Sequence, residues 1–323
     1  MKGLRNTAKG VVEILDLDMP ACTDDSMLVK NKYSGISNGT ERNVLIGGSY
    51  WSGVYPDYFS YQPVGEVIEV GKNIKNFKVG DMVYAGTTPG HVEYHLVKET
   101  DIVVKLPEGF DMEEAALLGM CGVGFHVAVR GEVKPYDKVL VMGAGLIGLF
   151  AMQGALAHGA EVSIADIDDT RLDYAKKLGA DYIYNTSTKE GRDTVNARGP
   201  YDVVFEITGA DQVMDFVFGT GINDRAGAES ASRILGFKSR VVLCAGRTDV
   251  RYNFNEAEAK ELSVLHNTHF TVEDLKCVIR LMEKGVIKIR PLIKTVVSFN
   301  ECIPVFNTLR DNPNSLMGCV IKF

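Results

Sequence analysis

From Gly10 to about Lys105 the apolar positions come in short alternating runs, each closed by Gly, Pro or Asn. The runs are Val11 to Leu15, Met27 to Tyr33, Val64 to Val70, Met82 to Ala85, Val92 to Val97 and Ile102 to Lys105. Alternation with period two between turn residues predicts strands, and short strands in succession predict an antiparallel, barrel-like β domain. Gly71-Lys72-Asn73 and Val79-Gly80-Asp81 supply its tight turns. At Asp111 the texture changes. Asp111-Met112-Glu113-Glu114 puts acid where the start of a helix favours it, and the apolar run Ala115 to Met120 follows.

After Pro135 the apolar runs become nearly continuous and alternate with helical segments. Strands are expected at Lys138 to Met142, Glu161 to Ala165, Tyr182 to Tyr184, Asp202 to Ile207, Arg240 to Ala245 and Glu261 to His266. Asp169 to Leu178, closed by Gly179, is the clearest helix between them. Apolar strands joined by helical crossovers predict a doubly wound parallel sheet covered on both faces. The crossover from Asp211 to Gly236 carries Gly219 to Gly227, too glycine-rich for helix throughout, and reads as an inserted loop within 219–229 to which sequence assigns no role. Helix Val272 to Lys284, strand Leu292 to Ser298, helix Asn300 to Leu309 and strand Met317 to Ile321 then rejoin the first domain. The fold class is therefore α/β in two domains, 1–122 with 268–323, and 123–267.

Composition narrows the function. The 323 residues are 46% hydrophobic and 24% charged, so disordered and fibrous classes are excluded. Thirty-five Lys and Arg against 42 Asp and Glu give a net charge of -7 with no basic run, which argues against a nucleic-acid partner. The most membrane-like stretch, Val139 to Ala157, carries four glycines and Gln153, so no membrane partner is expected. Six scattered cysteines with no CxxC fit neither a disulfide framework nor a structural zinc site. With no readable signal peptide, a cytoplasmic location is expected.

The decisive motif leaves the first strand of the second domain. Gly143-Ala144-Gly145-Leu146-Ile147-Gly148 is GxGxxG between a strand and a helix. Its glycines suit a tight turn, close approach of a pyrophosphate and packing of helix on strand, with the helix amides facing the anion. Asp166 ends the second strand eighteen residues past Gly148, where a carboxylate accepts from the adenine-side ribose hydroxyls and repels a 2′-phosphate. The cofactor expected is NAD, with Asp168 and Asp169 as competitors for the role. Arg171 is either an adenine contact or a first-turn cation. Thr208 and Gly209, after the fourth strand, border the cofactor, and Ala245 and Gly246, after the fifth, lie near its nicotinamide.

This order of parts resembles the medium-chain dehydrogenase/reductase superfamily, with a GroES-like catalytic domain and a Rossmann cofactor domain. The similarity runs over essentially the whole chain. Its most specific stretch is Gly65-x-Val67-x-x-Val70-Gly71-x-x-Ile74-x-x-Phe77-x-x-Gly80-Asp81-x-Val83, and Ser34-Gly35-Ile36-Ser37-Asn38-Gly39-Thr40-Glu41 is similar to the family's Gly-Ile-Cys-Gly-Thr-Asp. There are departures. Ser37 stands where zinc-dependent members carry a catalytic Cys, and Ser60-Tyr61-Gln62 where they carry Gly-His-Glu. The four-cysteine lobe for structural zinc is absent, since Tyr84-Ala85-Gly86 runs almost directly into Gly90-His91. Hydroxyl and phenol are poor zinc ligands, so no metal is expected. The pattern resembles a zinc-lacking subgroup that contains bacteriochlorophyllide dehydrogenase and sugar or polyol dehydrogenase-like proteins.

That resemblance implies NAD-linked interconversion of a secondary alcohol and a ketone on a hydroxylated, sugar- or cyclitol-like small molecule. Without a metal, hydroxyls and a base must steady the developing oxygen charge. Tyr61, at the vacated ligand position, is the first candidate; its alternative is a buried phenol filling the hole. Thr40 aligns with the relay hydroxyl of zinc-dependent relatives or is a turn hydroxyl, and Glu41 is catalytic or half of an ion pair. His126 is a titrating group or a core histidine; His91, His95, His266 and His269 are not distinguished. Gln62 would orient Tyr61 or the substrate, and Cys121 reads as a small core residue. Tyr50 and Trp51 head an aromatic loop suited either to the face of a sugar or to packing. Two readings compete: a zinc-free enoyl or quinone reductase using NAD(P)H, and a non-catalytic dinucleotide-binding protein. The resemblance also suggests pairing of the Glu261 to His266 edge with its twin in a homodimer or homotetramer.

Overall fold

The computed structural model describes residues 1–58, 60–219 and 232–323. Packing divides the chain into two units, Met1–Met120 with Thr271–Ile279 and Ile289–Phe323, and Cys121–Phe270 with Arg280–Lys288. Residues 280–288 were expected in the first domain. They group with the second because Gln153 clamps their end: Lys288 N donates to Gln153 Oε1 at 2.7 Å and Gln153 Nε2 donates to Lys288 O at 3.2 Å.

In the first unit the eleven-residue strand Ser26–Ile36 is the hub. One edge pairs with Pro63–Val70; the other is shared by Tyr94–Lys98 and, toward Ile36, by the C-terminal strand Gly318–Lys322, all antiparallel. Met82–Ala85 and Val103–Lys105 continue the sheet beyond Pro63–Val70, and Ile293–Ser298 flanks the C-terminal strand in parallel. The return segment thus joins the first unit's sheet. Its side chains Phe306, Leu309 and Ile321 pack in one core with Leu4, Ile36 and Leu45. Sequence alternation located these strands to within a few residues. It missed the helix Asn38–Leu45, whose glycine and polar start reads as a turn. Asp111 caps the short helix Met112–Ala115, accepting from the amides of Glu113 and Glu114.

The second unit carries six parallel strands in the order Tyr182–Asn185, Glu161–Asp166, Lys138–Met142, Tyr201–Glu206, Leu235–Leu243, Ser263–His266. In chain order this is 3-2-1-4-5-6, the doubly wound dinucleotide-binding arrangement, with its switch point between Lys138–Met142 and Tyr201–Glu206. Leu140, Val204, Val241 and Phe218 are among its buried residues. Among the described residues no helix is long and apolar enough to cross a membrane. The helix Asp211–Phe218 ends at Gly219, which has a positive φ of 76°; the rest of the glycine-rich stretch 219–229 lies outside the described residues.

Candidate active site

In the first unit the strand Ser26–Ile36 delivers Ser34 and then turns into the helix Asn38–Leu45 at Ser37. Glu41, in the first helical turn, reaches back so that Ser37 N donates to its Oε1 at 2.7 Å. This satisfies an amide at the helix start in the manner of a capping box. Its other oxygen, Oε2, lies 2.8 Å from His91 Nε2, with both side chains 3% exposed. His91 Nδ1 continues to Ser34 Oγ at 2.9 Å, and Ser34 Oγ to Ser60 Oγ at 3.3 Å. A cavity of about 20 Å³, room for one water, borders Glu41 and His91 and is lined also by Arg5 and Tyr58.

A second chain of hydroxyls starts from Ser37. Its Oγ lies 3.2 Å from Tyr61 OH and donates to Thr40 Oγ1 at 3.3 Å. Since the single Ser37 proton points at Thr40, the phenol is the donor in the Tyr61 contact. The Tyr61 backbone is fixed by Tyr84, whose OH donates to Tyr61 O at 2.6 Å. Burial pushes the Tyr84 phenol well above its usual pKa, so it stays a neutral donor.

The structure therefore brings Tyr61, Thr40 and Glu41 together around Ser37. His126 lies on the helix Leu118–Arg130, within the second unit. Gln62, expected to orient Tyr61 or the substrate, is fully buried; its Oε1 accepts from Gly119 N at 3.0 Å, and its Nε2 has no partner among the described residues. In the aromatic loop Trp51 stacks on Tyr55 with ring centroids 5.0 Å apart and donates to Val54 O, while Tyr50 is exposed and its amide donates to Asn43. Cys121 is buried and its thiol is raised far above its usual pKa by desolvation, as suits a core residue. His91, Ser34 and Ser60 were not singled out by sequence, because their partners lie far along the chain and only the sheet brings them near.

In the second unit each glycine of the motif has its own physical reason. Gly143 takes a φ of +105°. A Cβ on Gly148 would lie 1.8 Å from Gly143 O, so only glycine lets the helix Leu146–Ala157 lie against that carbonyl. A Cβ on Gly145 would meet nothing within 4 Å, which leaves open space beside the first helical amides for a ligand. Asp166 is 8% exposed; its Oδ2 accepts from Ala144 N at 2.6 Å and its Oδ1 from the amides of Ile167 and Asp168. The carboxylate thus sits against the glycine loop. Asp168 is taken up as the cap of the helix Asp169–Lys177, and Arg171 lies 4.0 Å from both Asp166 and Asp168. These residues fit a dinucleotide: open amides for its phosphates, and an acid for its ribose. Thr208 and Gly209 follow the strand Tyr201–Glu206, and Ala245 and Gly246 follow Leu235–Leu243, at the carboxyl edge of the sheet.

Residues 23–131 match the alcohol dehydrogenase GroES-like domain, and residues 147–284 match the zinc-binding dehydrogenase family. The chain belongs to the medium-chain dehydrogenase/reductase superfamily. Within this superfamily it is similar to the probable D-xylulose reductase A of Arthroderma otae, 27% identical over 96% of this chain and 94% of that one. Sorbitol dehydrogenase 1 of Saccharomyces cerevisiae is 27% identical over 78% of each chain. Among solved structures, an alcohol dehydrogenase of Escherichia coli complexed with NADH has a TM-score of 0.85 at 20% identity, covering 100% of this chain and 99% of its own. A dehydrogenase of Sinorhizobium meliloti bound to NADP has a TM-score of 0.82 at 20% identity, with the same coverage. At that identity the structures show the shared fold. The chain is thus polyol dehydrogenase-like in sequence.

The resemblance leads to the expectation that Ser37 and Tyr61 replace the Cys and His of zinc-dependent members. Here the two side chains are hydrogen-bonded to each other. Among the described residues no three His, Cys, Asp or Glu side chains converge to hold a metal. Two neutral hydroxyls are a donor set that does not fit zinc.

Proposed function

We propose that this dehydrogenase is a cytoplasmic, zinc-independent, NAD-dependent enzyme that interconverts a secondary alcohol and a ketone on a sugar- or cyclitol-like molecule. The reading is carried by the Ser37–Tyr61 hydroxyl pair at the superfamily's metal-ligand positions. A bound nicotinamide supplies the hydride acceptor or donor. Tyr61 accepts the alcohol proton at its phenol oxygen while passing its own proton to Ser37 Oγ, Ser37 passes its proton to Thr40 Oγ1, and the half-buried Thr40 releases its own proton to solvent. Each hydroxyl gains one proton as it loses one, so no phenolate has to form in the buried site. Glu41 holds Ser37 in place through its amide, and His91 holds Glu41. Asp166 favours NAD over NADP, because a 2′-phosphate would meet a carboxylate. The strand Ser263–His266, last in its sheet, is the edge proposed to pair with a second copy.

The test is a panel of polyols, sorbitol and xylitol among them, assayed with NAD and with NADP. NAD-linked turnover of at least one polyol is expected. Tyr61→Phe should lower kcat by about 10²-fold or more while leaving the NADH dissociation constant within about twofold. Full activity in Tyr61→Phe removes the phenol from the mechanism. Turnover of enones with NADPH and none of alcohols would favour the enoyl or quinone reductase reading.

A further inference from the structure

The carboxyl edge of the parallel sheet holds a buried ion pair that the proposed chemistry leaves unused. Glu206, the last residue of the strand Tyr201–Glu206, has no solvent exposure. Its Oε1 accepts from Thr208 N at 2.8 Å, Thr208 Oγ1 at 2.5 Å and Gly209 N at 3.0 Å. Its Oε2 is paired with Arg247 Nη2, and Arg247 Nε donates back to Ala245 O at 3.2 Å. One carboxylate and one guanidinium thereby bind the loop at Thr208 and Gly209 to the loop at Ala245 and Gly246. The tie extends to the glycine motif, since a Cβ on Gly143 would lie 3.0 Å from Thr208 Cγ2.

The arginine is left with a donor to spare. Its side chain is 11% exposed, and Nη1 is buried with no acceptor among the described residues. A buried N–H without an acceptor is costly, and such groups are found where a ligand or water completes the set. Glu206 already answers the charge of Arg247, so the pair as a whole favours a neutral acceptor over a second anion. Cys244 beside it brings no charge, because burial pushes its thiol up to about 11.

We propose that Arg247 is a cofactor-binding residue whose Nη1 donates to the carboxamide oxygen on the nicotinamide half of the dinucleotide. The inference rests on the reading that the Gly143–Gly148 loop holds a dinucleotide. It adds a recognition element at the opposite end of the cofactor from Asp166. ADP-ribose separates the two ends, since it keeps the adenosine, both phosphates and the second ribose but lacks the nicotinamide.

The experiment is calorimetric titration of NADH and ADP-ribose into wild type, Arg247→Met and the double variant Glu206→Gln with Arg247→Met. Arg247→Met should weaken NADH binding about tenfold or more, the worth of one charge-assisted hydrogen bond, and change ADP-ribose binding less than about twofold. The double variant, which leaves no buried charge unpaired, should show the same NADH-selective loss and keeps the test available if the single variant does not fold. Equal losses for both ligands would mean that the arginine serves the phosphates or the loops, and unchanged NADH binding in the double variant would mean that it serves no ligand; either overturns the proposal. If wild type binds neither ligand, the dinucleotide reading itself falls and the arginine's role with it.

Discussion

His95 gives the clearest quantitative test of the first unit. It lies on the strand Tyr94–Lys98, opposite Val29 of the hub strand, and is 4% exposed. Neither ring nitrogen has a partner among the described residues. Burial alone drives its pKa from the usual 6.5 down to about 3, so the folded chain holds the imidazole neutral. Above pH 6.5 the ring is neutral folded or unfolded, and the group adds no pH dependence. As pH falls below 6.5 the unfolded chain takes up a proton that the fold refuses, and stability drops by about 1.4 kcal/mol per pH unit until pH approaches 3. Between pH 7.5 and pH 5.0 this amounts to about 2 kcal/mol. His95→Leu, which fills the space without a titrating group, should remove that increment. The assay is urea unfolding of wild type and variant at both pH values, read as the difference between their two pH-induced losses, so that every other titrating group cancels. An equal loss in both proteins would mean that His95 is solvated or bonded in solution and that its burial here is wrong.

Two glycine substitutions should separate fold from ligand. Gly145→Ala points a methyl into open space, so its melting temperature should stay within about 2 °C of wild type while NADH affinity in a fluorescence titration falls tenfold or more. Gly148→Ala instead drives a Cβ toward the Gly143 carbonyl; it should destabilise the second unit by about 1–3 kcal/mol in the same unfolding assay. Asp166→Ala should shift the ratio of NAD to NADP affinity toward NADP by about tenfold, and an unchanged ratio would remove Asp166 from cofactor choice.

The parallel sheet was the most legible part of the chain. Its strands are apolar nearly throughout because both faces are covered, and a continuous run such as Val139 to Met142 is visible without knowing its neighbours. Tyr61 and Thr40 became candidates through the family pattern at Ser37 and Ser60-Tyr61-Gln62; no periodicity marks them. The Glu41–His91 contact was invisible because fifty positions separate the two residues and their meeting depends on how Ser26–Ile36 folds back. Glu206 did carry a signal: a charge at the end of the buried run Val203-Val204-Phe205 must find a partner, and Arg247 stands just past the neighbouring strand. That pairing is readable once the strand order is known. The anchoring of Gly119 N by the Gln62 carbonyl carried no sequence signal, because fifty-seven positions separate the two residues.

Whether protein hydroxyls or a metal ion steady the reacting oxygen is decided by elemental analysis of the purified protein, coupled to polyol turnover before and after exhaustive chelation. Less than about a tenth of a metal ion per chain, with turnover unchanged by the chelator, is the result expected from the Ser37–Tyr61 pair. One zinc per chain, with activity lost on its removal and restored on its return, would mean that a metal ion and not the hydroxyl pair steadies that oxygen.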